Sequence, residues 1–202
     1  MKNKLLVFLF FSTSFFGCGQ SNATSQDKTN NDQSFEISID NKKYNLSTDD
    51  IFSANYIGQT HLTLVALSEK KDISFSVTAF ITTLQPGTYQ VYECNSASTC
   101  SQEEDDKNQN AMFSPYPKDP MVPVNLSRTA YNAPELGLKP LVLTITSVTD
   151  EQQAGVPFKT KRIKGQFNGT LAYVEKQDDG NWKIVGNTTH IDGKFDLFCS
   201  IR

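Results

Sequence analysis

The stretch HLTLVALSEKKDISFSVTAFI, residues 61–81, decides the fold class. In its second half Ile73, Phe75, Val77, Ala79 and Ile81 alternate with Ser74, Ser76 and Thr78. Side chains along a strand point to opposite faces in turn, so this spacing predicts a strand with one apolar face and one polar face. The first half, His61–Leu67, is apolar on both faces and suits a more central strand. The polar run Ser68–Asp72 between them reads as the connection of a hairpin.

The same period recurs on either side. Phe35, Ile37 and Ile39 share a face in SFEISID, and Leu141, Leu143 and Ile145 do so in PLVLTITSV. Near the end, Phe195, Leu197, Cys199 and Ile201 fall together in KFDLFCSIR. Turn signals separate these runs: DNKKY at 40–44, QPGTY at 85–89 and DDGN at 178–181. IDGK at 191–194 reads as a bulge or a tight turn. No segment carries a capped helical stripe; DDIFSANY (49–56) and TAYNAPEL (129–136) are the two places where a short helical turn is expected. The class is all-β, with about eight to ten strands arranged as an antiparallel two-sheet β-sandwich, the alternative being a β-barrel.

The pattern breaks between about 95 and 139, where a long loop with a charge cluster and several prolines is expected. A loop of that length in a compact domain is usually functional or disordered, so a ligand-facing surface is sought there first, the alternative being an idiosyncratic surface insertion. Tyr89, Tyr92, Phe113, Tyr116 and Tyr131 are the candidate exposed aromatics.

The N-terminus has a different character. Met-Lys-Asn-Lys precedes the apolar run Leu5–Phe11, the layout of an export signal. The run is broken by Ser12–Ser14 and is far short of the roughly 20 apolar residues of a spanning helix. A signal-peptidase cut after Ser14 meets the small-residue rule but leaves Phe15 and Phe16 behind it, and a cut after Gly17 puts Phe15 in the third position. Gly17-Cys18 instead resembles a bacterial lipobox, read as FFGC. That resemblance implies a signal peptide at 1–17, cleavage between Gly17 and Cys18, and lipidation of Cys18. Soluble secretion and a retained anchor are the alternatives. From Gly19 to Ser34 only Ala23 is apolar, so 18–34 reads as the lipidated cysteine and a flexible linker. The remainder, 35–202, is long enough for a single all-β domain with a real core.

Charge disfavours one class of partner and says nothing of the others. The chain carries 19 basic and 22 acidic residues, and without Lys2 and Lys4 the balance is more acidic still. That is not the footprint of a nucleic-acid or anionic-lipid binder.

Of the four cysteines, lipidation takes Cys18 and leaves Cys94, Cys100 and Cys199. Cys94 and Cys100 bracket five polar residues and are the disulfide candidate, while Cys199 should face the core as a small hydrophobe. No CxxC or His-x-His spacing offers a zinc site, and no cofactor is expected. Asp106, Asn108 and Asn110 start like a calcium loop. The sixth position is Ala111 instead of glycine and the twelfth is Pro117 instead of glutamate, so the three form only a weak calcium candidate. His61 and His190 sit in no nucleophile motif, and the known catalytic signatures are absent. The chain therefore reads as non-enzymatic, with a hydrolase built on scattered carboxylates as the alternative.

Gly165, Phe167, Gly169 and Leu171, followed by Gly193, Lys194 and Phe195, resemble the C-terminal part of small uncharacterised bacterial lipoprotein domains. QPGTY is similar to a turn upstream in the same domains. The resemblance covers about a quarter of the chain and implies a β-rich cell-envelope domain without transferring an activity. With the lipobox it implies anchoring to a bilayer through acylated Cys18. The outer membrane is favoured over the inner, with the domain periplasmic or surface-exposed and an envelope protein or glycan as its partner.

Overall fold

The structure, a computed structural model, describes residues 33–47, 50–92, 107–114, 130–132, 137–176 and 182–202. Gly17, Cys18, Cys94, Cys100, Asp106, Tyr116 and the expected turn at 178–181 lie outside the described residues. All described regular structure is strand: β1 (Ser34–Ile39), β2 (Lys42–Leu46), β3 (Ile51–Ile57), β4 (His61–Ser68), β5 (Ile73–Phe80), β6 (Gly87–Val91), β7 (Asn110–Ser114), β8 (Ala130–Tyr131), β9 (Leu141–Thr149), β10 (Thr160–Lys176) and β11 (Trp182–Ile201).

The all-β fold is as the periodicity predicts, and the hairpins form where the turn chemistry puts them. Asp40 and Asn41 link β1 to β2 with φ of 48° and 67°. Both values are the left-handed conformation that a two-residue hairpin turn needs and that Asp and Asn tolerate. β4 and β5 pair from His61↔Phe80 to Ser68↔Ile73, with Asp72 left-handed at φ 55° in their connection.

Two long strands organise the rest. β10 and β11 pair with each other from Thr160↔Ser200 to Lys176↔Trp182. β11 also pairs with β1 at Ile191–Asp196, then with β3 at Cys199–Ile201. β10 pairs with β9 at Arg162–Asn168, then with β8 at Ala172 and Tyr173. One layer therefore reads β2-β1-β11-β10-β9-β6 and the other β3-β4-β5-β7-β8, with the long strands passing into both. β2 and β6 end the sheet as edge strands; the sheet is not closed into a barrel and the architecture is sandwich-like. Among the described residues every pairing is antiparallel except β11–β3, which is parallel over three residues. This departure from the expected all-antiparallel sandwich arises because β1 and β3 occupy the same side of β11 in opposite directions.

The change of partner along β11 would leave the Phe198 N–H without an acceptor. Gln33 supplies one through Oε1 at 2.8 Å. The expected linker 18–34 is corrected at its end for this reason: Gln33 is tied to the domain and Ser34 already belongs to β1.

The core lies between the layers. Phe35 (β1), Phe75 (β5) and Phe167 (β10) meet with ring centroids 4.7–6.3 Å apart, Phe75 and Phe167 being stacked. Buried rings contribute about 1.5–3 kcal/mol each, and their pairing adds about 0.5–1.5 kcal/mol. Glycine and phenylalanine face each other reciprocally in the β10–β11 ladder, Gly165↔Phe195 and Phe167↔Gly193. Each ring lies over the glycine opposite, so close that an added Cβ would collide with it.

Several sequence expectations are corrected. DDIFSANY is strand in its described part, because Ala54 and Tyr56 alternate inward against β4. In TAYNAPEL, Ala130 and Tyr131 form β8, and the buried Asn132 amide donates to the carbonyls of Lys139 (2.7 Å) and Thr170 (2.8 Å). IDGK is neither turn nor bulge but the interior of β11, where Gly193 makes room for Phe167. The expected loop at 95–139 contains β7 and β8: Ala111 and Phe113 are buried, and β7 pairs with β5. Phe113 is thereby a core residue and not an exposed aromatic. Tyr89 is half-buried, its hydroxyl donating to the Gln85 carbonyl at 2.9 Å.

Candidate binding face

The outward positions of the two layers differ in charge. Across the first layer one row reads Asn45, Glu36, Lys194, Gln166, Thr144 and Thr88, each opposite the next. Beside it lies an ionic cluster. Arg162 donates through Nε to Asp196 Oδ1 at 2.5 Å and reaches Glu151 Oε1 at 3.4 Å, while Lys164 Nζ lies 2.8 Å from Asp196 Oδ2. The Arg162 guanidinium also rests over the Phe198 ring.

Two carboxylates converging on one spot are what a hydrolase would need, but this pair is spanned by an arginine. Burial alone would raise the Asp196 carboxyl; hydrogen bonds from Arg162 and Lys164 outweigh it and hold the group below the usual carboxylate range. A general acid needs the opposite displacement. Among the described residues no three His, Cys, Asp or Glu side chains are grouped to hold a metal. Of the calcium candidates, Asn108 is an exposed left-handed residue and Asn110 opens β7 opposite Thr78.

The second layer is different. Its register aligns the outward residues of β3, β4, β5 and β7 in rows: Ile51, Leu67, Ser74 and Ser114; then Ser53, Val65, Ser76 and Met112. The next row is Asn55, Thr63, Thr78 and Asn110, and the last is Ile57, His61 and Phe80. Every one of these side chains is at least partly exposed. None is Asp, Glu, Lys or Arg.

The face carries hydroxyls and carboxamides along its middle, with Val65 and Met112 among them, and Ile51, Leu67, Ile57 and Phe80 at its two ends. Thr63 and Thr78 hydroxyls lie 3.2 Å apart across β4 and β5. Ile51 and Ile57, at the two ends of β3, are 58% and 48% exposed, two of the three most exposed large apolar side chains among the described residues. His61 is fixed by both ring nitrogens. Nε2 lies 2.7 Å from the Lys107 carbonyl and Nδ1 2.9 Å from the Thr60 hydroxyl, and the ring meets Phe80 edge-on. A carbonyl only accepts, so Nε2 carries a proton. The imidazole thus ties the segment entering β7 to the start of β4.

One corner of this layer holds its charged group off the face. Asp50 accepts from the Ser47 N–H at 2.9 Å and pairs with Lys71 of the β4–β5 connection, its side chain only 3% exposed. Burial pushes the Asp50 carboxyl up, but hydrogen bonds from Lys71, Ser68 and Ser47 outweigh that and hold it well below the usual carboxylate range. A carboxyl depressed in the folded state contributes stability that is present above its unfolded value, near 3.9, and is lost as pH falls through the folded value. Asp50→Asn should therefore lose about 1–3 kcal/mol at pH 7. The variant should also show a shallower decline in stability below about pH 5, the remaining slope including that of Asp196. Urea melts at a series of pH values measure both; an unchanged acid limb would show that Asp50 is not the group responsible.

Sequence reasoning located Ser74, Ser76 and Thr78 on one face but not the face itself, because the neighbours come from four strands whose register no local pattern reveals. Cys199 lies where the alternation placed it, fully buried opposite Ala54 and Lys161. It is a free thiol, and burial pushes its pKa up to about 12. A thiol that stays protonated is unreactive. In native protein Cys199 should escape iodoacetamide over hours and react within minutes in urea, as read by peptide mass mapping; alkylation at equal rates in both states would refute its burial.

No protein-family model, no curated protein and no solved structure matches the chain.

Proposed function

We propose that the chain is a lipid-anchored, non-catalytic binding module of a bacterial cell envelope. It is held to the bilayer by acylated Cys18 through a polar tether, and it presents the outer face of β3-β4-β5-β7 to an envelope component. The observation that carries the binding role is the charge asymmetry: the outer face of one layer carries charged residues and the Arg162–Asp196 ion-pair cluster, while the other exposes four aligned strands without a formal charge. Ordinary solvated sheet faces are built like the first, and faces that contact a partner lose charge at their centre. The Gly17-Cys18 junction and the 19–32 composition support the anchor, and a domain held by several acyl chains stays bound where one chain does not.

Two measurements test the proposal. Cys18→Ser should abolish palmitate labelling and release the protein from membranes; retained label removes the anchor from the reading. A photo-crosslinking residue at position 78, on the uncharged face, should yield an adduct in the native envelope, whereas one at position 166, on the ionic layer, should not. Equal adducts at both positions, or none at either, would refute the assignment of the face.

A further inference from the structure

Resting on that reading, we infer that the occupant of the uncharged face is a neutral glycan chain. Three features of the face select it. First, β4 and β5 are paired on both sides, so their backbone N–H and C=O groups are already used in the ladders. A peptide adding to a sheet needs a free strand edge; over β4 and β5 this face offers side chains alone. Second, the groups along its middle are hydroxyls and carboxamides: Ser53, Asn55, Thr63, Ser76, Thr78 and Asn110. Each both donates and accepts, which matches the hydroxyls of a sugar and gives no advantage to a carboxylate or an ammonium group. Apolar side chains beside them, Val65, Met112 and Phe80, suit the C–H faces of pyranose rings.

Third, the size of the face argues against a second copy of the chain. Four strands about 4.8 Å apart and about seven residues long at 3.3 Å each project on the order of 450 Å². A stable protein pair covers about 800 Å² on each partner. The patch is small for a subunit and ample for an oligosaccharide.

The test uses the whole chain in detergent micelles with a panel of neutral hexasaccharides: maltohexaose, cellohexaose, xylohexaose and N-acetylchitohexaose. Hexagalacturonate serves as the acidic counterpart and calorimetry as the readout. At least one neutral oligomer should bind with a Kd of 1 mM or tighter, and hexagalacturonate should bind at least tenfold more weakly. Thr78→Lys, which puts a charge at the centre of the face, should weaken the neutral ligand at least tenfold. Gln166→Lys on the opposite layer should leave it unchanged, and both variants should retain the native circular dichroism spectrum. Absence of binding across the neutral panel overturns the glycan assignment, as does binding that survives Thr78→Lys or prefers the acidic oligomer. A position-78 adduct that contains a protein and no sugar also overturns it while leaving the binding-module reading in place. No adduct at position 78 removes both.

Discussion

Gly193→Ala is expected to lower the stability of the domain by about 3 kcal/mol or more, an unusual loss for a single methyl group. The methyl would meet two obstacles at once, the Glu36 carbonyl of β1 and the Phe167 ring of β10, both well inside 3.0 Å. A ring can tilt, but the carbonyl belongs to a paired backbone and cannot. Gly165 stands in the mirror position, between the Thr144 carbonyl of β9 and the Phe195 ring, and Gly165→Ala should behave alike. A double-mutant cycle separates the two obstacles. If the ring contributes, Gly193→Ala will cost less in a Phe167→Leu background than alone; if only the carbonyl matters, the two changes will add. A loss under about 1 kcal/mol for Gly193→Ala in urea melts would mean that the ladder relaxes freely, contrary to the packing described.

The second large effect is expected at Phe167 itself. Its ring stacks on Phe75 at 4.7 Å, touches Phe35 at 5.8 Å and covers Gly193, so it binds the two layers together and fills the space that the glycine leaves. Phe167→Ala should cost about 3–5 kcal/mol through lost burial and the cavity left behind. Small domains have about 5–15 kcal/mol in all, so the variant should melt far below the wild type or fail to accumulate. Phe167→Leu retains most of the volume and should lose roughly half as much or less. The pair of variants keeps the expectation testable where the alanine form does not fold. Equal stability of Phe167→Ala and wild type would place the centre of the core elsewhere.

What the sequence disclosed depended on how local the cause was. The β4–β5 hairpin is legible because alternation and turn chemistry lie within 21 consecutive residues. β3 was misread because its outward residues include Ile51 and Ile57, which blur the alternation that Ala54 and Tyr56 would otherwise show. Asp192-Gly193 was misread because Asp-Gly is a strong turn signal. Its glycine answers instead to a phenylalanine 26 positions earlier, a relation that appears only once β10 and β11 are in register. β7 and β8 escaped notice since each is short and set among prolines and charges. The cluster of Arg162, Glu151 and Asp196 draws on two strands and a connection, and the uncharged face on four strands. Neither leaves a local trace.

The pairing of β11 also sets the order of events in folding. Its partners include β1, more than 150 residues earlier in the chain, as well as β3 and β10. Until residues 182–201 are available, β1 lacks one neighbour, β10 lacks its longest ladder and the second half of β3, Ala54–Tyr56, lies at a bare edge. Contacts of such long sequence separation close slowly, in milliseconds to seconds for all-β domains of this kind. A chain threaded through a narrow passage with its N-terminus leading would thus leave its core incomplete until its final strand came through.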